Sequence, residues 1–192
     1  MTATISKTVI ELFRRVGALL EGHFRLTSGL HSTGYLQCAL VLQHPREAER
    51  CGRLLADRVR DLGAEVVLSP ALGGIVIGHE VGRALGVRAI FAERQDGKLM
   101  LRRGFTLSPG DKVLVVEDVV TTGGSTRETV EVARAAGAVV VGAGAIIDRS
   151  GGNQGLDVPF HALATVSLPT YQPDACPLCA AGSPVTKPGS RT

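Results

Sequence analysis

The sequence contains no tryptophan, and aromatic residues make up only 4% of its 192 positions. Proteins that bind single-stranded nucleic acid stack the bases on aromatic side chains, so this composition argues against such a role. The formal net charge is only +3, from 21 basic and 18 acidic side chains. Charges so nearly balanced and so scattered do not form a nucleic-acid-binding surface. We therefore expect no nucleic-acid partner.

Long apolar runs are also missing, since no stretch approaches the roughly 20 apolar residues of a membrane span. Near the N-terminus, Glu11, Arg14 and Arg15 lie within a helical pattern rather than in a signal peptide. With 44% hydrophobic and 20% charged residues, a chain of this length can bury one good core. These features predict a soluble, cytoplasmic, compact protein with no membrane partner.

The stretch from Lys112 to Glu128 is the most informative part of the sequence. Its apolar run at 113–116 has the composition of a strand buried on both faces of a parallel sheet. The run ends in two acidic residues, Glu117 and Asp118. A buried strand followed by an ordinary turn is the alternative, but an acidic pair at a strand end is costly without a ligand or partner.

A threonine- and glycine-rich turn at 121–126 follows the acidic pair. Its glycines allow successive backbone N–H groups to point at one anion. The spacing of Ser125 and Glu128 predicts a capping box, and with it a helix that adds its positive dipole end to the same volume. This turn therefore suits a phosphate group.

The turn lacks the Gly-Lys-Ser/Thr of a nucleoside triphosphate site and the G-x-G-x-x-G of a dinucleotide site. Carboxylates beside a phosphate cradle suit a sugar phosphate, because they accept hydrogen bonds from vicinal hydroxyls. The stretch closely resembles the ribose-phosphate signature of the type I phosphoribosyltransferases, whose substrate is phosphoribosyl pyrophosphate (PRPP). The resemblance implies a catalytic role for Asp118. It also implies PRPP binding by Glu117, Asp118, Val119, Val120, Thr121, Thr122, Gly123, Gly124 and Ser125.

A second strand, predicted at 66–68, runs into the glycine-containing loop 69–74 and a helix predicted at 75–85. This segment resembles the family's pyrophosphate-binding loop, which implies PRPP contacts from Leu72 and Gly73. Gly73 stands where many orotate enzymes have lysine. Taken alone, the loop is also explained by a plain turn between strand and helix.

The polar segment 93–104 follows a strand predicted at 87–92 and carries four cations. Its composition predicts a mobile loop or hairpin. In the resembled family a basic loop here closes over the pyrophosphate of the neighbouring subunit. The resemblance thus implies a homodimer, PRPP contacts from Arg94 and Lys98, and a catalytic role for Lys98, with Gln95 in place of the usual lysine. Taken alone, such a charge run is more often a solvated surface.

A predicted N-terminal helix ends near Gly22, and the segment 22–42 has the pattern of a strand, a turn and a strand. This segment resembles the hood of orotate phosphoribosyltransferases, in which an F-x-L-x-S-G element precedes aromatic residues that face the pyrimidine. The resemblance implies an orotate contact from Tyr35, although Thr27 and Leu36 depart from the family pattern. The matching positions are Phe24, Leu26, Ser28 and Gly29.

The long apolar strand predicted at 139–147 delivers Arg149. A guanidinium matches a carboxylate through two parallel hydrogen bonds, and orotate has a carboxylate that uracil and the purines lack. The resemblance implies orotate binding by Arg149, together with Thr121. A salt bridge from Arg149 to Asp148 or another carboxylate remains the alternative.

The tail from 173 to 192 contains the only closely spaced cysteine pair, Cys176 and Cys179. Structural zinc needs four ligands, so Cys38, Cys51, a histidine or a second subunit would have to complete a site. No metal spacing links the five histidines, and we favour two reduced thiols without metal. The histidines are His23, His31, His44, His79 and His161.

Strands alternating with helices predict an α/β fold with a mostly parallel twisted sheet flanked by helices. The resemblance implies the type I phosphoribosyltransferase fold, with a small hood built from the N-terminal and C-terminal parts. We expect an N-terminal helix and hood at 1–44, a PRPP-binding core at 45–150, and a final strand and tail at 151–192.

The implied activity is transfer of the phosphoribosyl group of PRPP to orotate, with Mg²⁺ held mainly by PRPP and no confident protein ligand for it. Two alternatives stay open. One is a purine or uracil enzyme of the same fold. The other is a regulator that keeps the PRPP site only as a sensor.

Overall fold

The computed structural model describes residues 2–26 and 29–187. Thr27 and Ser28 of the hood motif lie outside the described residues. The strands are β1 (Leu19–Arg25), β2 (His31–Leu36), β3 (Val66–Pro70), β4 (Arg88–Gln95), β5 (Lys98–Leu101), β6 (Lys112–Val120), β7 (Val139–Asp148), β8 (Phe160–Thr165) and β9 (Thr170–Tyr171). The helices are α1 (Thr2–Arg15), α2 (Ala39–Leu42), α3 (Pro45–Val59), α4 (Gly73–Leu85), α5 (Gly124–Ala135) and α6 (Pro177–Ala180). Within the described residues, no helix is long and apolar enough to cross a membrane.

Six strands form the central sheet in the order β5-β4-β3-β6-β7-β8. All neighbours are parallel except β4 and β5, which form an antiparallel hairpin. The predicted α/β class and mostly parallel sheet are confirmed. Because parallel strands end at the same edge, β3, β6 and β7 deliver their following loops to one side of the sheet.

Successive side chains of the central strands enter two separate cores, as the period of a strand requires. On one face, residues such as Val67 and Leu114 pack with α1, α3 and α4. On the other face, Val66 and Val113 pack with α5 and with the chain after β5. Burial on both faces explains why these strands appear in the sequence as continuous apolar runs.

The hood is a separate antiparallel sheet in the order β1-β2-β9. Two of its strands come from the N-terminal part and one from the C-terminal part, as the resemblance implies. The tail continues along β1, where the backbone N–H of Arg25 donates to the Thr186 carbonyl at 2.8 Å. The N-terminal and C-terminal parts of the chain thus form one substructure.

The predicted end of the first helix near Gly22 is wrong, because α1 ends at Arg15. Gly17 adopts the left-handed conformation at φ 71°, and the backbone N–H of Ala18 donates to the Phe13 carbonyl at 2.8 Å. Such a left-handed glycine terminates a helix. The apolar residues that follow belong to β1.

Candidate functional site

The acidic pair lies inside β6, because the strand continues through Glu117 and Asp118 to Val120. The Glu117 side chain is buried, and its Oε1 accepts a hydrogen bond from the backbone N–H of Asp118 at 3.1 Å. Asp118 Oδ1 accepts from the backbone N–H of Val119 at 2.8 Å. Within the described residues, neither carboxylate forms an ion pair with a cationic side chain. The pair is therefore available to a ligand.

Burial, reinforced by the charge of Asp118, raises the pKa of Glu117 well above its ordinary value of 4.5. Desolvation disfavours the charged form, and a second carboxylate beside it disfavours that form further. A carboxyl group whose pKa is perturbed in this way is typical of a functional site.

The phosphate loop, defined here as Thr121–Ser125, follows the acidic pair and lines a cavity of about 270 Å³ together with Glu117. Gly123 has φ 74°, and α5 begins directly after it. A side chain at Gly123 would also collide with the Gln154 carbonyl, which lies 2.1 Å from an ideal Cβ position. The backbone therefore turns in a way that requires glycine.

The predicted capping box is wrong, because α5 begins at Gly124 with Gly123 as its N-cap and no side-chain cap. Ser125 is already within the helix, and Glu128 instead binds Arg94. The loop is braced by Arg127, whose Nη1 donates to the Thr122 carbonyl at 2.7 Å and to the Gln154 carbonyl at 2.6 Å. The helix N-terminus still faces the loop, so the electrostatic argument for an anion holds.

The loop after β3 meets the acidic pair directly. An ideal Cβ at Gly73 would lie 2.8 Å from Asp118 Oδ1. Leu72, Gly73 and Asp118 line a cavity of about 410 Å³, and the Leu72 side chain is 82% exposed. The two predicted ligand loops therefore lie on either side of the same carboxylates.

Arg149 directly follows β7, and its backbone N–H donates to the Val120 carbonyl at 2.7 Å. The expected alternative partner, Asp148, is occupied by Ser150, whose backbone N–H and hydroxyl both donate to Asp148 Oδ1. Arg149 has no ion-pair partner within the described part of the chain, and its buried Nε has no hydrogen-bond partner there. Desolvation lowers the pKa of its guanidinium. A half-buried cation without a partner is suited to an anionic ligand.

The basic segment is a hairpin, formed by β4 and β5 with Asp96 and Gly97 as its two-residue turn. Both turn residues have positive φ, at 50° and 82°, as a tight hairpin turn requires. Arg94 Nη2 donates to Glu128 Oε2 at 2.7 Å. Lys98 is exposed and has no ion-pair partner among the residues described. It lines a cavity beside α5, together with Glu128, rather than the cavity of the phosphate loop.

Comparisons with known proteins identify the family. Residues 39–162 match the phosphoribosyl transferase domain. The orotate phosphoribosyltransferase of Desulforamulus reducens is 55% identical over 95% of this chain and 96% of its own. The chain belongs to the orotate phosphoribosyltransferase family.

Solved structures of family members agree with this assignment. The orotate phosphoribosyltransferase of Aeropyrum pernix has a TM-score of 0.67 and 26% identity, covering 82% of this chain and 93% of its own. The Mycobacterium tuberculosis orotate phosphoribosyltransferase, in complex with PRPP, has a TM-score of 0.66 and 25% identity, covering 84% of this chain and 96% of its own.

Thr121 and Tyr35, the other two predicted orotate contacts of this orotate phosphoribosyltransferase family member, stay predictions and lie in different surroundings. Thr121 lines the phosphate-loop cavity. Tyr35 packs with its ring centroid 6.0 Å from that of Phe24, and it does not line either cavity at the acidic pair. Its contact with orotate remains a prediction.

Sequence reasoning missed two residues that follow β2. Gln37 lines the cavity beside Asp118. Cys38 is buried, and its thiol lies 3.7 Å from the Asp118 carbonyl oxygen. Burial, reinforced by Asp118, raises the pKa of Cys38, so this residue is a neutral thiol. Both residues follow Tyr35 by two or three positions in the sequence, and this closeness to a predicted orotate contact could have identified them.

The raised pKa of Glu117 predicts a specific pH dependence of stability. The folded protein keeps a proton on Glu117 at pH values where the unfolded chain has lost it, so stability falls as pH rises from about 4.5 towards the folded pKa. In Glu117→Gln this decline should shrink by at least about 1.4 kcal/mol, the equivalent of one pKa unit. The free energy of unfolding of both proteins is measured by denaturant titration, without ligand, at pH values from 5 to 8. Glu128→Gln, an exposed control, should keep the wild-type slope, whereas a wild-type slope in Glu117→Gln would contradict the assignment.

Proposed function

We propose that the protein transfers the 5-phosphoribosyl group of PRPP to orotate, giving orotidine 5′-phosphate and pyrophosphate in pyrimidine (UMP) biosynthesis. The observation that carries the proposal is an acidic pair, with Glu117 buried, between two glycine loops in a chain whose relatives are named for this activity. The reaction requires no side-chain nucleophile. Departure of pyrophosphate leaves a positively charged, oxocarbenium-like sugar, so the site must fix the reactants in line and neutralise the leaving group.

PRPP would lie across the carboxyl ends of β3 and β6. The backbone N–H groups of the phosphate loop would hold the 5-phosphate, while Glu117 and Asp118 accept hydrogen bonds from the ribose hydroxyls. The loop at Leu72 and Gly73 would hold the pyrophosphate with backbone groups. The contact of Gly73 with Asp118 supports this arrangement, since it puts both loops within reach of one small ligand.

Mg²⁺ fits the same place. Glu117 and Asp118 supply the carboxylate oxygens that this ion prefers, and no cationic side chain of the described residues forms an ion pair with them. Bound mainly through PRPP and near these carboxylates, the ion would supply neutralisation of the leaving pyrophosphate. A nearby cation would also favour the charged form of Glu117, which burial now opposes.

Arg149 would bind the orotate carboxylate, with Thr121 and Tyr35 as further contacts to the base. The orphaned Nε supports this role, because a buried donor without a partner is costly and a carboxylate would satisfy it. The same feature favours orotate over uracil or a purine, neither of which brings a carboxylate.

The β4–β5 hairpin would act on the pyrophosphate of a neighbouring subunit in a homodimer. Lys98 supports this proposal because it is exposed and lacks an ion-pair partner among the described residues. Arg94 would have to exchange Glu128 for the substrate, which is feasible because that ion pair is half-exposed and therefore weak.

The direct test of the proposed function is a substrate assay. Orotate should be consumed only when PRPP and Mg²⁺ are both present, because pyrophosphate leaves poorly without neutralisation. Asp118→Asn should lose PRPP use while keeping most of its thermal stability. Equal turnover of uracil, adenine or hypoxanthine would point to a salvage enzyme. PRPP binding without turnover of any base would point to a sensor.

Substitution of Arg149 should separate orotate recognition from PRPP binding. Arg149→Ala should lower kcat/KM for orotate, through loss of a bidentate charged contact. The expected loss corresponds to about 2–4 kcal/mol of transition-state stabilisation. PRPP affinity should change little. Arg149→Lys should recover only part of the loss, because an ammonium lacks the planar fork. Arg134→Ala, on the outer surface of α5, is the matched control. Loss of PRPP affinity in step with orotate use would indicate a structural role instead.

Mixing two impaired variants, Lys98→Ala and Asp118→Asn, tests whether the hairpin acts across a dimer. Lys98→Ala should lower kcat with little change in PRPP binding, as expected for a contact that strengthens with leaving-group charge. Mixed with Asp118→Asn, it should regain activity in hybrid dimers that contain one intact site. Lys7→Ala, an exposed lysine of α1, should behave as wild type. Absence of recovery after proven subunit exchange would show that Lys98 serves its own chain or takes no part.

A further inference from the structure

Four potential metal ligands lie together in the hood, away from the acidic pair. His23 is on β1, His31 is on β2, and Cys176 and Cys179 are in the tail. Their ligand atoms all lie within 4.8 Å of one another. His23, His31 and Cys176 are buried, and Cys179 is at the surface. Cys38 and Cys51, which the sequence offered as completing ligands, do not belong to this group.

The distances between these atoms approach those of a tetrahedral site. Zinc bonds of about 2.0–2.1 Å to nitrogen and about 2.3 Å to sulfur place neighbouring nitrogen and sulfur ligands roughly 3.6 Å apart. Nε2 of His23 lies 3.6 Å from Cys176 Sγ and 3.7 Å from Cys179 Sγ. Nδ1 of His31 lies 3.3 Å from Cys179 Sγ. The two histidine nitrogens are 2.8 Å apart and would need to separate by about half an ångström to meet the roughly 3.3 Å of a tetrahedron.

A second hydrogen bond fixes the ring of His23 in the orientation that a ligand needs. Nδ1 of His23 lies 2.9 Å from the Ser183 carbonyl oxygen, and a carbonyl can only accept, so this nitrogen carries the proton. In the neutral ring Nε2 then carries a lone pair directed at the cluster, where His31 Nδ1 lies 2.8 Å away. Metal-binding histidines are typically oriented in this way by a carbonyl or carboxylate behind the ring.

The donor set identifies the kind of metal. Two thiols and two imidazoles are the ligands of structural zinc sites, whereas Mg²⁺ requires oxygen. Four protein donors also fill a tetrahedron and leave no position for a substrate. Zinc binding would release the thiol protons, since the thiolate is the ligand.

The position of the cluster indicates what a metal would do. The hood sheet has three strands, of which β9 contains only two residues. So small a sheet buries little apolar surface, and small substructures are commonly stabilised by a metal or disulfides. The cluster joins both long hood strands to the tail, which also meets β1 through hydrogen bonds of Thr186 with His23 and Arg25 and of Ser183 with His23.

We propose that His23, His31, Cys176 and Cys179 bind one Zn²⁺ ion that fastens the tail at 173–187 to the hood. The site is structural and separate from the PRPP site.

Metal analysis of the intact protein tests the proposal independently of catalysis. Protein without a histidine tag, purified without chelators or after loading with Zn²⁺ and desalting, should contain one zinc per chain. Cys176→Ser/Cys179→Ser should contain none. Cys179→Ser should bind zinc more weakly than wild type. Because Cys179 is exposed and Cys176 is buried, this single variant should disturb folding less than the double variant does. Cys51→Ala removes a thiol outside the cluster and should keep the full zinc content.

Two further measurements identify the ligands and the role. Co²⁺-loaded wild-type protein should show the visible bands of tetrahedral cobalt and thiolate charge-transfer absorption, which the cysteine variants should lose. A chelator should lower the thermal unfolding midpoint of wild type and of Cys51→Ala, but not of the double variant. Wild-type protein that takes up no zinc, a Cys176–Cys179 disulfide in place of metal, or a double variant that retains zinc would each overturn the proposal.

Discussion

The constraint on which this site depends is the desolvation of Glu117, one of two adjacent carboxylates within a buried strand. β6 lies between β3 and β7, so Glu117 enters the protein interior, where it accepts a hydrogen bond from the backbone N–H of Asp118 and has no cationic partner among the described residues. Such a group is costly to bury in its charged form. A ligand that brings hydroxyls or a cation offsets this cost, and the folded protein therefore holds the pair ready for such a ligand.

Close approaches of the two loops to neighbouring groups explain two glycines. At position 73 an added Cβ would meet the Asp118 carboxylate, and at position 123 it would meet a backbone carbonyl. On this backbone, a side chain at position 73 would start against Asp118, so the loop after β3 presents backbone groups there.

The sequence was sufficient to predict the core and the loops because their signals are local. Apolar runs such as 113–116 predict strands buried on both faces, and the composition of 93–104 predicted a mobile loop or hairpin, of which the structure has the hairpin. The errors arose where neighbouring patterns compete. The apolar period of α1 continues past Arg15 into β1, and only the left-handed Gly17 separates them. Ser125 and Glu128 had the spacing of a capping box, but with Gly123 as N-cap the helix starts two residues too early for it.

The histidine–cysteine cluster was beyond sequence reasoning because its spacing is tertiary. His23 and Cys176 are separated by 153 residues, and only the pairing of the tail with β1 brings them together. β2 connects this cluster to the acidic pair, since His31 begins the strand and Gln37 follows it directly beside the Asp118 cavity. Six residues of strand span about 20 Å. At that distance the cluster is too far away to contact the acidic pair, but it can fix the strand whose far end borders the cavity beside Asp118.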